Sequence, residues 1–301
     1  MIDSDVVLLL VAFVFGANNI GVIRSSFQQA SGKDATLYLA TGTLAFAVGY
    51  FVEGYKVKST FTTSLTSASQ GAQLMALATV LVVMTAFTLL KLPVSLSNTV
   101  LGAMVGVSLA TTVHLQVNLI GLVIAAWFVA PVSAAVIAIL LHRTFLHEVG
   151  RGSFVSVERW SRYLGLVAVF LTGYTLGANN LGALLGFSSG PVLSILVVAA
   201  AIFGGLLFSK SVAWLLGWRM AVLSPPAYLS ALLGASATLW IYTQLGIPSS
   251  LTQAIVGAML VLSIDRKPSI VNLRVVYEII GSWVFVLLSS LVVAFLVGSI
   301  P

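Results

Sequence analysis

The chain has 301 residues, of which 59% are hydrophobic and 7% charged, with a mean hydropathy of +1.10. A soluble domain needs about a quarter of its residues charged to wet its surface, so this composition excludes a water-exposed globular fold and selects a bilayer as solvent. The net charge of +6 on so few ionisable groups reads as loop charge setting membrane orientation, not as a nucleic-acid surface, and the lack of cysteine removes disulfides and thiolate chemistry.

Apolar windows of bilayer length fall at 6–23, 35–52, 73–90, 94–112, 117–141, 163–187, 190–208, 226–245, 248–264 and 275–299, predicting an all-α integral membrane protein with about ten hydrophobic segments. No basic leader or cleavage site precedes the first run, so it is expected to stay as a span. The Trp-rich piece 211–223 reads as interfacial. If the segments alternate with residue 1 outside, twelve of the fourteen Lys and Arg residues fall inside, with only Lys56 and Lys58 outside. That bias predicts a multi-pass plasma-membrane protein with both termini outside. The polar stretch 142–162 then becomes a cytoplasmic connecting loop.

Three segments of the first half return in the second. FGANNIG at 15–21 recurs as LGANNLG at 176–182, and LPVSLSNTVLGAMV at 92–105 recurs as IPSSLTQAIVGAML at 247–260. AAWFVAP at 125–131 has a weaker echo, GSWVFVL, at 281–287. Matches in one order predict a duplication, with residues 1–141 and 163–301 as repeats about the 142–162 loop. Asp3 and Asp5 flank the first run, whereas Arg159 and Arg162 flank its counterpart, so the repeats are expected to have inverted topology, a common construction of secondary transporters.

No Asp or Glu lies at the centre of any window, so the polarity of the membrane core comes from the repeated motifs. Adjacent amides at Asn18 and Asn19, and at Asn179 and Asn180, need partners or a wet cavity within hydrocarbon. Gly16 and Gly177 permit a helix break, and Pro93 and Pro248 cannot continue a hydrogen-bond ladder, so each motif is expected to interrupt a helix. An interruption exposes N–H groups at a half-helix N-terminus, where anions bind, and Ser95, Ser97, Ser249, Ser250 and Thr252 add hydroxyls there. The asparagines and unwound carbonyls supply neutral oxygens that suit Na⁺, predicting an anion site beside a cation site.

These residues together resemble the inorganic phosphate transporter family, which includes a sulfate permease branch. The resemblance rests on GANN followed by Gly21 or Gly182, similar to the family's Gly-Ala-Asn-Asp signature, and on the P-x-S-x-[ST] motif followed by Gly-Ala at 93–103 and 248–258. It runs through both halves. It implies import of an inorganic oxyanion by alternating access, coupled to Na⁺ or H⁺, with Asn18, Asn19, Asn179, Asn180 and the Ser and Thr residues of the proline motifs around anion and ion. No other cofactor, no enzymatic activity and no nucleic-acid partner are expected, and a homodimer is an open expectation. Asn19 and Asn180 stand where the family has Asp, so an ionised ligand is missing from both halves. A carboxylate-free site tolerates sulfate, which only accepts hydrogen bonds; phosphate stays narrowly ahead through the family, and a passive anion channel on the same scaffold is the alternative.

Other motifs carry less. GFSSG at 186–190 has the pattern of a hydrolase nucleophile, but His114, His142 and His147 all precede it, against the order of that fold. Lys33 in ASGKD lacks the glycine a phosphate loop requires at position 27, where Phe27 stands, and Arg151, Arg159 and Arg162 read as topology charges.

Overall fold

The computed structural model describes residues 4–26, 32–58, 60, 69–111, 116–149, 154–188, 190–266 and 271–299. Their regular structure is helical throughout, apart from one isolated bridge between Ala221 and Val271. Hydrocarbon offers the backbone no hydrogen-bond partners, and uncharged runs of Leu, Val, Ala and Phe satisfy it internally as helix.

In the first half, α1 (Ser4–Asn19) and the short α2 (Gly21–Ser25) are followed by α3 (Gly32–Glu53), α4 (Gln70–Leu89), α5 (Leu96–Ala110) and α6 (Val117–Val149). In the second, α7 (Phe154–Thr175) passes into a π turn (Leu176–Asn180) and a 3-10 stretch (Leu181–Phe187). Then come α8 (Pro191–Phe208), α9 (Lys210–Trp214) with a second π turn (Leu215–Arg219), α10 (Pro225–Gln244), α11 (Leu251–Arg266) and α12 (Leu273–Gly298).

Among the described residues, seven helical segments are long and apolar enough to cross a membrane: Ser4–Ser25, Ala35–Glu53, Gln70–Leu89, Val117–Phe145, Arg162–Phe187, Pro191–Phe208 and Leu273–Gly298. The chain is therefore a multi-pass membrane protein. The other three of the ten expected hydrophobic segments are also helices, but they do not reach this length and apolarity. Windows 94–112 and 248–264 fold as helices of 15 and 16 residues, each about 23 Å long against a hydrocarbon core of about 30 Å. Each packs against the helix before it, so α4–α5 and α10–α11 are two helical hairpins. Window 226–245 is α10, which has 20 residues but is less apolar than the seven. The stretch 142–162, expected as a loop, is helical at both ends, since α6 runs on to Val149 and α7 begins at Phe154.

The halves exchange their packing partners. α1 packs on α8 and α7 on α3; α5, the return arm of the first hairpin, packs on α12, while α11, its counterpart, packs on α6. Glycines set the closeness of these crossings: a Cβ at Gly16 would overlap the Ala201 carbonyl, and one at Gly177 the Phe46 carbonyl. Burial follows lipid logic. Phe128, Val192 and Phe285 face outward, whereas Asn18, Asn98, Asn179, Asn180, Ser249 and Gln253 are all at most 4% exposed.

Candidate oxyanion and cation site

Both hairpins turn in the same way. After α4, the Leu92 N–H reaches the Phe87 carbonyl and the Lys91 N–H the Thr88 carbonyl; after α10, the Ile247 N–H reaches Tyr242 and the Gly246 N–H Thr243. This is the Schellman closure of a helix end, and it requires a left-handed residue just past the cap. Lys91 (φ 61°) and Gly246 (φ 68°) fill that position.

One asparagine then clasps each turn. Asn18 donates to the Thr88 hydroxyl (3.1 Å) and the Leu92 carbonyl (2.8 Å), and its Oδ1 accepts from the Val94 N–H (2.8 Å). Asn179 donates to Thr243 (3.0 Å) and Ile247 (3.0 Å), and accepts from the Ser249 N–H (2.8 Å). Every partner in the second set is the repeat equivalent of one in the first. Asn18 and Asn179 are thus engaged with the hairpins through both amide groups, which explains why they tolerate complete burial. Thr88 and Thr243 were not among the candidates. Their signal was available, because TLLKLPVS at 88–95 and TQLGIPSS at 243–250 extend the proline repeat upstream.

The helix-break expectations need correction. α1 runs unbroken through Gly16 to Asn19, and the chain departs from helix only at Ile20; the need at Gly16 is close approach to α8, not freedom to unwind. Gly177 lies in the π turn, where winding changes without the chain leaving the helical region, and Asn179 and Asn180 share that turn. Pro93 and Pro248 interrupt no helix. They sit in the extended loops 92–95 and 247–250, just ahead of α5 and α11, where a missing N–H costs nothing.

Beyond the clasp the two motifs differ. Ser95 caps α5: its Oγ accepts from the Asn98 N–H (3.4 Å), donates to Asn98 Oδ1 (2.7 Å) and lies 3.1 Å from the Ser97 hydroxyl. Ser282 ties the Pro93 carbonyl (3.1 Å), and Asn98 donates to the Trp283 carbonyl (3.4 Å). Asn19 makes only a bond back to the Phe15 carbonyl (3.3 Å). In the second half, Asn180 donates to the Ser249 carbonyl (2.8 Å) and Ser250 receives the Gln253 N–H (3.4 Å). Among the described residues, Asn180 Oδ1, Ser249 Oγ and Gln253 Oε1 are buried with no hydrogen-bond partner. Thr252 is buried beside them on the first turn of α11. The two motifs meet where Gln253 Nε2 reaches Asn98 Oδ1 at 3.5 Å, a contact between positions 155 apart, the same offset that separates Pro93 from Pro248.

The starts of α5 and α11 contribute free N–H groups and hydroxyls, which bind oxyanions, while the three unpartnered atoms are neutral oxygens able to accept a proton donor or ligate a hard cation. Among the described residues no three His, Asp or Glu side chains converge, so a cation held here would rest on neutral oxygens. Ser188 of the GFSSG motif bonds to the Ser194 hydroxyl (3.0 Å), not to a histidine. His114, Arg151 and Ser189, and the side chains of Lys33 and His147, lie outside the described residues.

Comparison with known proteins agrees with this architecture. A solved structure, described as the sodium-dependent phosphate transporter, superposes with a TM-score of 0.81 over 99% of this chain and 98% of its own, at 15% identity. A protein of Methanocaldococcus jannaschii, named as a candidate phosphate permease, is 27% identical over 95% of this chain and 93% of its own length. One of Rhizobium meliloti, named as a candidate low-affinity inorganic phosphate transporter, is 28% identical over 64% of this chain and 63% of its own. The phosphate transporter family matches residues 6–138, 71–176 and 144–294 in three overlapping stretches that run through both halves, and the chain belongs to that family.

Proposed function

We propose that this chain is a secondary transporter that moves an inorganic oxyanion, phosphate first, across the plasma membrane by alternating access between two inverted halves, residues 1–141 and 163–301. The carrying observation is the buried trio Asn180 Oδ1, Ser249 Oγ and Gln253 Oε1, left without partners beside the half-helix starts. An unpartnered buried polar atom costs about 1–3 kcal/mol, so three together mark a place that a ligand completes.

The anion sits between the hairpins, held by N–H groups at the starts of α5 and α11 and by the hydroxyls of Ser95, Ser97, Ser249, Ser250 and Thr252. The names of the relatives support phosphate. So does the chemistry: monohydrogen phosphate brings an O–H that needs an acceptor, and the amide oxygens of Asn180 and Gln253 accept it without a carboxylate. Replacement of the family Asp at positions 19 and 180 therefore does not by itself select sulfate. The solved relative's name supports Na⁺ as the coupling ion, for which the same neutral oxygens are suitable ligands. Asn18 and Asn179 hold the hairpins and do not contact the ion.

The test is uptake of ³²P-phosphate into proteoliposomes. A transporter accumulates label above equilibrium under an inward Na⁺ or H⁺ gradient, with excess sulfate competing weakly. Equilibration without accumulation selects the passive channel, and stronger competition by sulfate than by unlabelled phosphate overturns the choice of substrate.

A further inference from the structure

We propose that the cavity beside the tip of the first hairpin is a second oxyanion site, taking a phosphate group carried either by free inorganic phosphate or by a lipid headgroup. The cavity measures about 300 Å³ and is lined by Lys91, Lys210, Ser211, Trp214, Leu215 and Arg219. None of these belongs to the motifs at 93–98 and 248–253, so the site is separate from the transport site and does not depend on the transport reading.

Three cationic residues, all exposed, line this one cavity. Arg219 is partly neutralised by Glu278 at 3.8 Å, a carboxylate it shares with Arg274 at 3.2 Å, and its guanidinium lies 5.9 Å from the centre of the Trp214 ring. Among the described residues, no carboxylate lies within ion-pair distance of Lys91 or Lys210. Like charges gathered against a partly apolar wall repel unless an anion joins them. A phosphate group offers several acceptor oxygens to two ammonium groups, a guanidinium and the Ser211 hydroxyl.

The backbone supplies an independent observation. The turn that carries Lys91 needs φ near +60°, and the second half meets the need with Gly246. A residue with a Cβ adopts that conformation at a cost, and strained positions concentrate where a side chain has a task. Here the strained residue is one that lines the cavity. Arg219 ends a π turn, another irregularity frequent at functional sites.

The experiment uses the full chain in nanodiscs with two probes: ³²P-labelled inorganic phosphate in discs of phosphatidylcholine alone, and phosphatidylglycerol retained from mixed discs, counted by native mass spectrometry. Lys91→Gly keeps the turn, because glycine is its natural occupant, and Lys210→Gln removes the second unpaired charge. Each variant should weaken one of the two probes about tenfold, the scale of a lost charge-assisted contact, and the probe affected identifies the source of the phosphate. Ser249→Ala, which weakens the transport site, should leave that probe's Lys91 dependence intact. Affinities of both variants within about twofold of the unaltered chain for both probes overturn the proposal. If the unaltered chain accumulates no phosphate while the Lys91 effect persists, the transport reading falls and this site stands.

Discussion

The two hairpin tips share one turn and differ in what meets it. At the second tip, Gln244 donates to both oxygens of Glu53 (3.1 Å each), Lys56 bonds to Glu53 (2.8 Å) and to Gln244, and Thr60 donates to the Gly246 carbonyl. At the first tip, Lys91 faces Lys210 and Arg219 across an open cavity. The repeat explains the difference. Displaced by the 155 positions that separate the proline motifs, Gln244 corresponds to Leu89, which has no polar group to join such a latch. The chain thus carries one tied hairpin tip and one untied tip. In the alternating access proposed above, such an inequality biases which state is occupied at rest.

The largest expected effect tests what the tips have in common. Asn18→Leu and Asn179→Leu each delete three buried hydrogen bonds and strand the donors and acceptors of a turn, at about 2–4 kcal/mol each. Both variants should insert into the membrane and lose phosphate uptake, as measured in proteoliposomes. Normal uptake by either would show that its hairpin does not need the clasp.

The next effect separates an unpartnered hydroxyl from a helix cap. Ser249 Oγ has no partner, whereas Ser95 caps α5 as its equivalent Ser250 receives the Gln253 N–H. Ser249→Ala should therefore raise the KM for phosphate about tenfold, the scale of one lost hydrogen bond to a charged ligand, with an unaltered thermal midpoint. Ser95→Ala should lower the midpoint as well, by the ~1 kcal/mol of a lost cap. Equal thermal losses in the two variants would mean that Ser249 serves the fold as Ser95 does.

The latch gives a smaller effect. Gln244→Leu installs the residue that the first half has at Leu89, and an exposed ionic contact contributes about 0.2–1 kcal/mol. The chain has no cysteine, so a single one placed at the buried Ile247 reports opening without background. Its labelling by a membrane-impermeant thiol reagent should rise about threefold when the latch is cut. An unchanged rate would mean that Glu53 and Lys56 do not hold that tip.

Much of this was legible in the sequence, and the omissions have physical causes. The duplicated motifs, their offset and the asparagines could be read because buried amides and prolines are scarce in hydrocarbon and stand out in pairs. The hairpins could not, because hydropathy over a window reports apolarity and not whether a helix of 15 residues crosses or stops, and α5 is as apolar as a span. Gly16 was misread as a break because a glycine in a helix serves flexibility or close packing equally well, and only the Ala201 carbonyl beside it decides. The clasp was missed because it uses the backbone of Leu92 and Ile247, which no side-chain pattern announces. The unpartnered oxygen of Asn180 could not be distinguished from its counterpart by residue type, since Asn19 and Asn180 are the same amide in different surroundings.

The smallest effect lies in the turn itself and has opposite signs at the two tips. At position 91 the backbone holds a Cβ in the left-handed region, so Lys91→Gly relieves a strain of about 1 kcal/mol, partly offset by the greater entropy that glycine gives the unfolded chain. At position 246 the substitution runs the other way: Gly246→Ala introduces that strain and sets a Cβ 3.0 Å from the Lys56 carbonyl oxygen, on the segment that forms the latch. Thermal unfolding in detergent should therefore show Lys91→Gly at or slightly above the unaltered chain and Gly246→Ala below it by about 1–2 kcal/mol. Because the two turns make the same hydrogen bonds, the sum of the two changes measures the neighbours and not the turn. Losses of equal size in both variants would mean that Lys91 is held in place by contacts as favourable as those around Gly246, and the first tip would then be no more open than the second.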